Sequence, residues 1–147
     1  MHTQVSTTPT AREITRPRDR TSPVVRKKMS GAAIKSFFQI TEKWGLDTTH
    51  KKGLLGWPSH QTLYNWQSGN HGTLSYDTLT RVSLILGIYK ALHILYPETA
   101  FADNWINMPN TNMIFGGKRP LDLMIDDGID GLYQVRRLLD SRRGGWN

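Results

Sequence analysis

The sequence predicts an all-α chain. Three observations carry this. No segment keeps strict apolar–polar alternation over more than a few residues. Apolar side chains recur at three- and four-residue spacing through most of the chain. Serine, aspartate, glycine and proline stand where helices of that spacing would start and stop. With 147 residues, 37% hydrophobic, the chain can build one modest core or two small ones.

Residues 1–29 hold three prolines and few apolar side chains, and read as a disordered basic tail. The tail is either solubilising or an arm that touches phosphate. From Ser30, "SGAAIKSFFQITEKWG" spaces Ile34, Phe37, Phe38, Thr41 and Trp44 along one helix face, with Ser30 as N-cap and Gly45 as stop. "DTTHKKGLLG" gives a short second helix capped by Asp47 or Thr48, with Leu54 and Leu55 inward and Gly56 as its end. "WPSHQTLYNWQSGN" gives a third, with Ser59 as an N-cap and Leu63 and Trp66 on one face. The longest helix begins at Ser75 and ends at Pro97. Its apolar side chains (Leu79, Val82, Ile85, Leu86, Ile88, Tyr89, Leu92, Leu95) cover so wide an arc that it belongs at the centre of the fold or of an oligomer. Phe101 and Trp105 are expected to pack back on it. A short helix from Pro120 to Met124 and a last one from Ile129 to Ser141 complete the chain, the last with Leu132, Val135, Leu138 and Leu139 inward. The expected units are the tail, a helical domain over 30–97 and a second small helical domain over 98–147.

Several functional classes drop out. With no cysteine there are no disulfides or thiolate metal sites, and the five histidines lack ligand spacing. No uninterrupted apolar run reaches the ~18–20 residues of a membrane span, and the N-terminus lacks the apolar stretch of a secretory signal, so a soluble cytoplasmic protein is expected. No nucleophile–base pair is evident. Asp126, Asp127 and Asp130 lie on a glycine turn without the closing glutamate of a calcium loop. The expectation is therefore no enzyme and no cofactor.

The net charge of +7 is unevenly placed. Residues 1–30 hold seven cations against two acids, 31–96 six against three, and 97–147 six against seven. A polyanion suits the first two-thirds and a different partner the last third. Two short helices joined through Leu55-Gly56-Trp57 have the shape of a helix-turn-helix, whose third helix would read DNA. Its polar side chains are Ser59, His60, Gln61, Thr62, Asn65 and Gln67, with no acid among them. Asparagine and glutamine can bond adenine bidentately, and histidine, serine and threonine can reach bases or phosphates. Lys51 and Lys52 are expected at the phosphate backbone. Trp57, Tyr64 and Trp66 read as packing residues.

"FGGKRP" is not a phosphate loop. Aligned on Gly117-Lys118, Asn112 stands where the first glycine belongs and Arg119 where a magnesium-binding Ser or Thr belongs. The run "NMIFGGKRPLDLMIDDGIDGLYQVRRLLDSRRGGW" instead resembles the toxin-binding domain of Xre/MbcA/ParS-type antitoxins. Pro109, Asn112, Phe115, Gly116, Gly117, Pro120, Leu121, Leu123, Gly128, Gly131, Leu132, Val135, Leu138, Leu139, Gly144 and Trp146 carry that resemblance. It implies an N-terminal Xre-like helix-turn-helix bundle followed by a small toxin-binding domain. It also implies a RES-domain toxin that depletes NAD as partner, operator DNA as second partner, and a homodimer within a larger complex. The toxin would be met by Phe115, Gly116, Gly117, Lys118, Arg119, Arg136, Arg137, Arg142, Arg143, Gly144, Gly145 and Trp146, with "GGW" as a thin plug. Arg136 and Arg137 read equally as a solvated helix face. The competing reading is a stand-alone repressor whose C-terminal third only dimerises.

Overall fold

The computed structural model describes residues 22–144, and all regular structure among them is helical. Seven α-helices follow in order: α1 (Pro23–Lys43), α2 (Thr48–Leu54), α3 (His60–Gln67), α4 (Tyr76–Leu95), α5 (Thr99–Asn104), α6 (Pro120–Asp126) and α7 (Gly128–Arg142). Single 3₁₀ turns form at Trp105–Asn107 and Met113–Phe115. Residues 1–21 of the expected tail lie outside the described residues.

The local signals explain most boundaries. Gly45 takes φ +69° after α1. The Asp47 carboxylate accepts from His50 N–H, Ser59 Oγ from Thr62 N–H and Ser75 Oγ from Thr78 N–H, so α2, α3 and α4 are each side-chain capped. Pro120 opens α6 at its first position.

One expectation here needs correcting: Ser30 is not an N-cap. The first helix starts at Pro23, where proline suits the first turn, and runs straight through Ser30. The Ser30 hydroxyl donates to Arg26 O at 2.6 Å and accepts from Leu74 N–H at 2.9 Å in a buried site. It thus supplies a partner for a backbone donor that has left water, which is worth about 1–3 kcal/mol. Phe101 packs back on the end of α4, its ring meeting Tyr96 edge-on at 5.0 Å while staying exposed, and Trp105 is buried.

The core is organised around α4. Leu79, Val82, Ile85, Ile88, Ala91 and Leu92 are fully or nearly fully buried, and α4 contacts α1, α5 and α7. Among the described residues it is the one helix long and apolar enough for a membrane span, with mean hydropathy 1.3, yet more than half of that stretch is buried inside the protein. One continuous core joins Phe37, Leu54 and Leu63 from the first part of the chain to Phe115, Leu121, Met124, Leu132 and Leu139 from the last. The expected division near residue 97 therefore does not divide the core.

Three glycines set the helix spacings by what a side chain there would strike. A Cβ on Gly131 of α7 would lie 2.1 Å from Leu123 O of α6, a backbone atom that cannot move aside. On Gly53 of α2 it would lie 2.8 Å from Ile125 Cγ2 of α6. On Gly87 of α4 it would fall within the Arg136 guanidinium of α7. Gly131→Ala is expected to cost about 3 kcal/mol through overpacking against backbone. Gly87→Ala should cost less, because the end of an arginine can swing away. Urea unfolding midpoints of the two variants check the order.

Candidate functional site

Two surfaces gather the chemistry. The first is the outward side of α3. Leu63 is buried and Trp66 half-buried, which fixes the inward face. At about 100° per residue this turns Gln61, Tyr64, Asn65 and Ser68 outward. His60 and Gln61 are exposed and Asn65 half-exposed. Gln61 Nε2 donates to Asn65 Oδ1 at 2.9 Å. Ser59 and Thr62 are occupied with capping, their hydroxyls 2.9 Å apart. Gln67 lies apart from this group: it lines an open groove of about 670 Å³ against α1, with Phe38 and Trp66.

Lys51 does not lie on that surface. It is buried on the inward side of α2, with Nζ 3.8 Å from a Glu42 carboxylate oxygen and 6.0 Å from the Phe38 ring centre. In a helix of seven residues, Leu54 and Leu55 must both face the core, and that orientation carries Lys51 inward with them. Lys52 remains partly exposed.

Two rings taken for packing residues are exposed instead. Tyr64 is 63% and Trp57 56% exposed. Trp57 also adopts φ +65°, a left-handed conformation that costs a non-glycine residue roughly 1–2 kcal/mol. The signal for Tyr64 was the helical wheel of α3. For Trp57, nothing in its residue type announced the backbone.

The second surface is built on residues 108–119. Asn112 Oδ1 accepts from Ile114 N–H, Asn110 Oδ1 accepts from Asn112 N–H, and Asn110 N–H donates to Lys118 O. Gly116 (φ +56°) and Gly117 (φ +83°) close the loop in backbone conformations that disfavour side chains. Both glycines and Lys118 are exposed. Phe115, expected to meet the partner, is buried against Trp105 with ring centres 6.1 Å apart. It anchors the loop. What the loop displays is Met113, 94% exposed, and Ile114, 39% exposed, which no sequence motif singled out. This apolar ridge stands between two shallow clefts. One, of about 360 Å³, is lined by Ile114, Gln134, Arg137 and Leu138. The other, of about 280 Å³, includes Met113, Leu123, Asp126 and Asp127.

The expected arginines separate. Arg137 is exposed beside the ridge. Arg136 lies across Gly87, its Nε donating to both Asp140 oxygens at 3.2 and 3.0 Å, so it packs in the α4–α7 contact while its side chain stays partly exposed. Arg143 lies 3.7 Å from Asp140, and Arg142 reaches the Tyr96 hydroxyl at 3.4 Å. Gly144 is exposed at φ +98°, and Gly145 and Trp146 lie outside the described residues. Arg119 is held by Asp122: Nε donates to Oδ2 at 3.1 Å and Nη2 to Oδ1 at 2.8 Å, while Arg119 N–H also donates to Oδ2. Asp122 thus accepts from the backbone N–H at the start of α6 as well as from the Arg119 side chain. Hydrogen bonding from Arg119 holds its carboxyl below the usual aspartate range against a smaller opposing effect of burial, and the same bond raises the guanidinium pKa.

Comparison with known proteins adds the family. Residues 91–145 match the antitoxin Xre/MbcA/ParS C-terminal toxin-binding domain, a match that begins inside α4. Over 114 residues the chain is 40% identical to "Uncharacterized protein y4oB" of Sinorhizobium fredii (strain NBRC 101917 / NGR234), covering 78% of this chain and 86% of that protein. No solved structure matches. The chain belongs to the Xre/MbcA/ParS antitoxin family and carries its toxin-binding domain.

The Arg119–Asp122 pair makes a pH prediction. A carboxyl whose folded pKa is depressed stabilises the fold above its unfolded value of about 3.9 and loses that contribution as pH falls through the folded value. Asp122→Asn should therefore lower stability at neutral pH, with the gap from the parent chain closing below about pH 4. Thermal melts across pH 7 to 3 measure it.

Proposed function

We propose that the chain is the antitoxin of a type II toxin–antitoxin pair. Its residues 108–144 bind and block a RES-domain, NAD-depleting toxin. Its α2–α3 unit binds the operator of the pair's own operon and represses it. The working form on this reading is a homodimer within a larger complex with the toxin.

The observation that carries the first part is the Met113–Ile114 ridge. A methionine almost wholly in water on a turn tied down by Asn112, Phe115 and Gly116 is apolar surface presented by a rigid mount. It lies within the segment that matches a toxin-binding domain. Such an anchor, flanked by Arg137 on one side and Asp126 and Asp127 on the other, suits an apolar pocket with a charged rim. Cutting the chain after Pro109 would not test this, because Leu121, Met124, Leu132 and Leu139 would leave the core with it. A Met113→Asp/Ile114→Asp variant leaves that core intact. Co-expressed with the toxin gene product, it should lose co-purification and fail to restore cellular NAD, while melting at the parent temperature. Undiminished protection by the variant, or a parent chain that retains no protein at all, would favour the stand-alone repressor.

Charge supports the second part. Residues 22–76 hold seven cations and two acids, and no acid lies between Asp47 and Asp77. Lys52→Ala should weaken binding to every duplex alike and lower the salt slope by about one counterion. Lys51→Ala should leave that slope unchanged and lower stability, since Lys51 packs inward. Binding titrations across salt concentrations, paired with melts, separate the two lysines.

A further inference from the structure

The outward side of α3 holds two amides that are not independent. Gln61 and Asn65 stand one turn apart, and Gln61 Nε2 donates to Asn65 Oδ1 at 2.9 Å. That bond occupies one donor and one acceptor. The Gln61 carbonyl oxygen and the Asn65 amide nitrogen take no part in it, so the pair offers an acceptor from one side chain beside a donor from the other, with one further Gln61 N–H and one Asn65 Oδ1 lone pair left over. Adenine in the major groove displays the complement, an N6 amino donor and an N7 acceptor. Beside them Tyr64 is 63% exposed, so the unit has an apolar flank. Thymine is the base with a methyl group to meet such a flank.

We propose that Gln61 and Asn65 form one preassembled reader of a single adenine in duplex DNA, and that Tyr64 contacts the methyl group of a neighbouring thymine. The inference rests on the operator-binding reading above and sharpens it. Two amides that could each claim an adenine instead share one, so α3 specifies fewer positions than its polar side chains suggest. The occupant is duplex DNA on grounds of charge. The face carries no acid, and the chain from Ser22 to Tyr76 is strongly cationic. Holding the two amides against each other before binding also removes part of the side-chain ordering cost at the interface.

The test begins with selection of preferred sequences from a random duplex library by the full chain. The parent chain is expected to select a motif containing one invariant adenine. Gln61→Ala and Asn65→Ala should each lose preference at that same position, by about 5- to 150-fold. The double variant should lose little more than either single one, because both remove one unit. Melting temperatures of the three variants check that the fold is retained, which the exposed position of Gln61 favours. Replacing the neighbouring thymine by deoxyuridine should weaken the parent chain about three- to fivefold. It should leave Tyr64→Ser unaffected. Losses at two different positions, or additive losses in the double variant, overturn the shared-adenine reader while leaving operator binding in place. A parent chain that selects no motif, or binds separated strands as well as the duplex, overturns the operator reading and this inference with it.

Discussion

Covering α4 on all sides is the constraint that the rest of the fold obeys. A twenty-residue helix with apolar side chains around most of its circumference cannot lie on a surface, as an amphipathic helix does. α1 covers one part of it and α5 and α7 cover others, so both ends of the chain are needed to take it out of water. Close approach is needed too, and Gly87 provides it where the Arg136 guanidinium crosses. The bond from Arg136 to Asp140 one turn on keeps that guanidinium paired where it crosses the glycine. The toxin-binding domain is consequently not an appendage. Its match begins within α4, and the helix that closes the N-terminal core is the helix on which the C-terminal part is built.

The helix class, the order of elements and the side-chain caps were legible in the sequence, because these depend on neighbours within a few residues. Asp47, Ser59 and Ser75 act where their type and spacing place them. Ser30 misled for a reason that is not local. Its partner, Leu74 N–H, is 44 residues away, so a serine that looked like a helix start was a serine chosen for a distant backbone donor. Lys51 and Phe115 misled through packing. Each belongs to a residue type or motif associated with contact, yet Lys51 is carried inward with Leu54 and Leu55, and Phe115 packs on Trp105. Met113 and Ile114 were illegible for the converse reason: apolar residues in a sequence read as core until the packing that excludes them is known.

The turn before α3 and the turn before α7 are physically joined. Arg81 of α4 is bonded to Asp77 at 2.9 Å, and its guanidinium lies 3.0 Å from where a Cβ on Gly56 would stand and 3.9 Å from the same point on Gly128. Gly56 ends α2 and Gly128 begins α7, and both require φ above zero. Next to this, the Trp57 ring edge and Ile125 of α6 close on Gly53 from two directions. Trp57 is held left-handed at that point, with its N–H donating to Lys52 O at 2.8 Å. The strain of that residue is thus maintained by packing that includes the C-terminal part of the chain. Because close-packed contacts of this kind do not deform gradually, α3 and the acidic turn at Asp126–Asp127 share one rigid support. A partner seated on the ridge and clefts of residues 113–138 and a duplex lying on α3 would rest on elements joined through these contacts, through α1 and through α4, and any energetic coupling between the two would act equally in both directions.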